Sequence, residues 1–76
     1  TVRLVIYGGA ARAPTVLFNE KVVAQLGLVV VRSGRLSEES MALACEGLAR
    51  FALILSDCGV ERVDTVATAA VREAAN

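Results

Sequence analysis

Val2, Leu4 and Ile6 alternate with Arg3, Val5 and Tyr7 at the start of the chain, the period-two pattern of a β-strand. Gly8-Gly9 and the stretch Ala10 to Pro14 read as a turn into a second apolar segment, Thr15 to Val23, so the simplest reading is a hairpin. Leu26 to Val31 is a third apolar run, β-branched near its end and closed by Ser33-Gly34. Its length favours a strand, and three strands on short connections predict an antiparallel meander.

Helical spacing follows. Ser37 is a good N-cap, Glu38 and Glu39 put negative charge in the first turn, and Leu36 and Met41 occupy the positions of a hydrophobic staple. Met41, Ala44, Cys45, Leu48, Phe51, Ala52 and Leu55 recur at intervals of three and four, predicting one apolar face. Core packing is the expected role of Met41, Phe51 and both cysteines. Gly59 followed by Val60 fits a left-handed C-terminal cap. Val60 to Thr68 then reads as a fourth strand, and Thr68 as the cap of a second helix running from Ala69 to Asn76. The order is α/β, and the crossover through the long helix would allow parallel pairing.

Composition narrows the chemistry. At 76 residues this is one domain at most, and a core built mainly of Ala, Val and Leu buries only about 60% of the unfolded surface at this size. With 55% hydrophobic residues, some apolar surface is expected to meet another subunit, as in a homo-oligomer, or missing parts of a larger domain. Eight basic and eight acidic residues give no footprint for nucleic acid. The absence of His, with only Cys45 and Cys58, excludes a Cys/His zinc site, a His-based triad and a CxxC pair. On one helix the two thiols lie about 20 Å apart, beyond disulfide reach, which suits a reducing, cytoplasmic setting. No apolar stretch is long enough for a bilayer, and no signal-peptide layout opens the chain, so a soluble protein without a membrane partner is expected.

The junction Ala67 to Asn76 stands out. A helix beginning at Thr68 would offer backbone N–H groups to an anion, Ala69 and Ala70 would let it approach, and Arg72 would supply planar donors suited to phosphate oxygens. The alternative is that Arg72 is a surface side chain beside Glu73. Gly8-Gly9 and Ser33-Gly34-Arg35 read more simply as turns, and Glu38 with Glu39 as helix-dipole partners.

At this junction the sequence resembles the N-terminal domain of the exopolyphosphatase/guanosine-pentaphosphatase family. The most specific match is Ala-Thr-x-x-x-Arg-x-Ala-x-Asn, met by Ala67, Thr68, Arg72, Ala74 and Asn76, with support from Gly34 to Glu39 and from the opening TVRLVIY. The resemblance spans nearly all of residues 1–76, as the N-terminal part of one domain. It implies a partial ribonuclease H-like fold of the actin, sugar-kinase and heat-shock-ATPase type, whose five-stranded mixed sheet begins with three antiparallel strands. It also implies Mg²⁺-assisted hydrolysis of terminal phosphoanhydride bonds in polyphosphate or guanosine pentaphosphate. Carried over residue by residue, Arg72 would contact the reacting phosphate as a catalytic residue, with Thr68 and Asn76 shaping the substrate site. The family's first Asp and Gly-Ser-Asn loop would precede Thr1, and its catalytic Glu and second phosphate loop would follow Asn76. No metal ligand is therefore expected among these residues, and residues 1–76 alone are not expected to turn over substrate. Where the family more often has Gly-x-Gly-Leu, this chain has Leu28-Val29-Val30-Val31.

Overall fold

A computed structural model describes the backbone of residues 1–76 and every side chain but that of residue 29. Strands β1 (Val2–Gly8) and β2 (Thr15–Val22) pair antiparallel, with Val2 opposite Val22, Leu4 opposite Glu20 and Ile6 opposite Phe18. The alternation read at the start of the chain is the alternation of this strand: Leu4 and Ile6 are buried, while Arg3 and Tyr7 face out. After Ile6 the register slips, so that Tyr7 stands opposite Val16 and Leu17 is the extra residue of a bulge. The Leu17 side chain lies over Gly8, where a Cβ would come within 2.7 Å of Leu17 Cδ1. Gly9, at φ 82, opens the turn that returns the chain to Thr15.

Helix α1 spans Leu26–Ser33, where a third strand was expected. A short, continuous apolar run cannot separate helix from strand by periodicity. What decides here is the end: Gly34 takes φ 73 and donates its N–H to Val30 O at 2.8 Å, closing a helical turn, with Arg32 favourably placed in that last turn. The described sheet therefore has two strands, and the three-strand meander is replaced by a hairpin and a helix.

Helix α2 (Glu38–Asp57) keeps both ends read from the sequence. Ser37 Oγ accepts from Ser40 N–H at 3.0 Å, above a first turn carrying Glu38 and Glu39. At the other end Val60 N–H reaches Leu55 O at 3.1 Å and Gly59 N–H reaches Ser56 O at 3.1 Å, with Gly59 at φ 66. These two bonds make a full Schellman motif. The face turned to the sheet, however, is rotated from the expected one. Ser40, Gly47 and Phe51 are the buried residues of α2, whereas Leu48 and Ala52 are exposed, as are Cys45 and Cys58, which are free thiols and not core residues. Gly47 permits the close approach: a Cβ there would lie 3.0 Å from Val22 Cγ2 and 3.3 Å from Val22 Cβ. The core joins Leu4, Ile6 and Phe51, with Val2, Phe18, Val22, Ile54, Leu55 and Val60 packed around them.

Beyond α2, residues 60–68 take no regular secondary structure and belong to no sheet, so the fourth strand and its parallel pairing are not formed. Val63 and Val66 are 52% and 85% exposed, and the segment faces β1 across a cavity instead of bonding to it. Helix α3 (Ala69–Glu73) is shorter than expected and ends before Asn76; it packs against α1.

Candidate functional site

Thr68 is the N-cap of α3, and its carbonyl accepts from Arg72 N–H at 3.0 Å, but its side chain makes no capping bond. A helix of five residues aligns few peptide dipoles, so the anion-attracting end expected at Thr68 is weak. Because α3 stops at Glu73, Arg72 falls in its last turn, where a cation is favourable. The guanidinium is exposed and forms no ion pair among the described residues. Two other arginines are engaged: Arg62 with Asp64 at 3.4 Å, and Arg50 with Glu20. The Arg50 pair is two-pronged, with Nη2 to Oε1 at 2.8 Å and Nε to Oε2 at 3.2 Å, and the bond to Glu20, then its charge, raises the Arg50 pKa further.

Asn76 turns away from this surface. Its Oδ1 accepts from Leu36 N–H at 2.8 Å, its Nδ2 donates to Leu36 O at 3.2 Å, and Ala75 N–H reaches Gly34 O at 2.8 Å. A side-chain amide thus pairs with a backbone residue as a neighbouring strand would. The bonds tie the end of α3 to the connection between α1 and α2. Thr68 and Arg72 are brought together by one helical turn, and Asn76 holds that turn in place from outside. Nothing in the spacing of Asn76 revealed Leu36 as its partner.

A cavity of about 630 Å³ lies between the N-terminal half of β1 and residues 63–68, floored by Leu48, Phe51 and Leu55 of α2. Thr68 lines it; Arg72 and Asn76 do not.

The Ppx/GppA phosphatase family matches this sequence over residues 5–76, nearly its whole length. The chain therefore belongs to the Ppx/GppA phosphatase family. No curated protein and no solved structure matches it significantly. Among the described residues no three His, Cys, Asp or Glu side chains gather as a metal site. No helix among them is long and apolar enough to cross a membrane.

Proposed function

We propose that this chain supplies Arg72 to the phosphate-binding wall of a cytoplasmic phosphohydrolase that releases terminal orthophosphate from polyphosphate or guanosine pentaphosphate. Family membership supports the reaction class, and the exposed, unpaired guanidinium of Arg72 carries the assignment of the residue. A guanidinium on the terminal phosphate donates two parallel N–H bonds and offsets the charge that builds on the equatorial oxygens as water attacks in line. Thr68 shapes the approach from the neighbouring turn. Asn76, with its amide committed to Leu36, acts on substrate only by fixing that turn.

The test is orthophosphate release from long-chain polyphosphate by the longest natural chain containing this segment, beside its Arg72→Ala variant. A loss of at least tenfold, about 1.4 kcal/mol of transition-state stabilisation, is expected. Unchanged turnover removes Arg72 from the reaction. Residues 1–76 alone are expected to release none.

A second reading, a structural or self-association module, draws on the exposed apolar side chains Leu53, Val66 and Val31, at 68%, 85% and 88%. It predicts concentration-dependent association in sedimentation, unaffected by phosphate, and a monodisperse monomer counts against it.

A further inference from the structure

We infer that Gly34 is a positioning residue for Arg72: its left-handed backbone aims the carbonyl that holds the end of α3, and with it the turn bearing the guanidinium. The inference rests on the reading of Arg72 given above. At φ 73 and ψ 7, Gly34 directs its two peptide groups apart. Its N–H turns back to Val30 O at 2.8 Å and closes α1, while its carbonyl leaves the helix and accepts from Ala75 N–H, also at 2.8 Å. In the right-handed region that carbonyl would point along the helix axis with the others instead of across to Ala75. Leu36, two residues on, offers its N–H and C=O to the Asn76 amide. The Asn76 bonds therefore stand downstream of the same reversal, which Ser33 braces by accepting from Arg35 N–H and donating to Arg35 O through its hydroxyl.

α3 depends on this anchorage. Five residues are too few for a helix to be stable by itself, and Thr68 gives it no side-chain cap. Arg72 lies in its last turn, three residues before Ala75. Packing sets α1 and α3 side by side, and the bond from Ala75 to Gly34 fixes where along α1 that last turn sits.

Conformation, not contact, makes the position specific. A Cβ at residue 34 would meet nothing within 4 Å, so a side chain has room and only φ discriminates. Asn enters the left-handed region readily, whereas a β-branched residue avoids it by a factor on the order of ten. Because the bonds at Gly34 and Leu36 are exposed, releasing them is the cheapest way for such a residue to escape φ 73. Gly59 is a built-in comparison: its φ is 66, a Cβ there also meets nothing within 4 Å, and it too ends a helix, but its N–H bond stays within α2.

The test uses the longest natural chain containing this segment and follows polyphosphate hydrolysis together with amide exchange, by mass spectrometry, of the peptide carrying Ala75. Gly34→Val is expected to lower kcat at least threefold at unchanged KM and to speed that exchange at least threefold. Gly34→Asn should stay within twofold of the parent in both. Gly59→Val should lower the urea midpoint as Gly34→Val does, yet leave kcat and the exchange within twofold. In the Arg72→Ala background Gly34→Val should lower kcat no further, because the group it positions is gone. A loss that persists there, an equal loss in Gly59→Val, or no rescue by Asn overturns the assignment. If Gly34→Val fails to fold, Gly34→Ala takes its place with the same expectations. If Arg72→Ala leaves turnover unchanged, the reading of Arg72 fails by itself, and Gly34 as the anchor of this turn is decided by exchange alone. Fast exchange in Gly34→Val with slow exchange in Gly34→Asn then upholds it, and equal exchange in the two overturns it.

Discussion

Arg72 and Asn76 lie one turn apart in sequence and face opposite tasks. The arginine is exposed and unpaired, while both polar atoms of the asparagine amide are spent on Leu36. Replacing Asn76 by Ala removes two exposed hydrogen bonds, which at typical net values costs about 1 kcal/mol, read as a lower urea midpoint. In the longer catalytic chain the same change should lower phosphate release less than Arg72→Ala, and added phosphate should not restore it. An Asn76→Ala effect as large as that of Arg72→Ala would instead place the asparagine on the substrate. The motif held both residues, with Arg72 expected on the phosphate and Asn76 shaping the site, but a motif records which residue types occur together and not which way their side chains point. The bonds to Leu36 engage the Asn76 amide and leave Arg72 exposed.

Among the elements, α2 was the most legible, since its limits are set by local chemistry. Ser37 captures a free N–H at one end, and Gly59 adopts at the other a left-handed conformation that costs other residues more. Ser37→Ala is expected to cost about 1 kcal/mol in urea unfolding. The buried face of the helix was less legible: Ser40 and Gly47 carry no apolar signal, yet they lie in it because the strand comes close enough to touch Gly47. Gly47→Val would push added methyl groups into Val22, which already sits where a bare Cβ makes tight contact. A loss of about 1–3 kcal/mol is expected, measured by the same unfolding curve, and an unchanged midpoint would show that α2 can shift away from β2. The run Leu26 to Val31 misled because its β-branched residues favour a strand while the glycine that follows closes a helix. Residues 60–68 do not form the strand expected of them, since no neighbouring strand bonds to them.

At the scale of the molecule, the radius of gyration is 14.3 Å. A compact domain of this length would measure about 11 Å. The difference fits the groove beside β1, the 43 Å long axis and a core in which, among the described residues, only Leu4, Ile6, Ala24 and Phe51 are buried apolar residues. So small a core leaves little to offset chain entropy. The isolated chain is therefore expected to melt over a broad range and to bind a hydrophobic dye at room temperature, and a sharp transition with no dye binding would contradict this. The apolar composition foretold incomplete burial, but not where the exposed surface would gather. That depended on how far residues 63–68 stand from β1, a long-range spacing that no local pattern encodes.

The clasp between Asn76 and Leu36 also orders events in time. Its partners are forty positions apart, while the hairpin and both caps of α2 join near neighbours. Closing the longer loop is the slower search. During synthesis the ribosome must release Asn76 before this clasp can form, so the hairpin and α2 can assemble while the turn bearing Arg72 is still without its anchor.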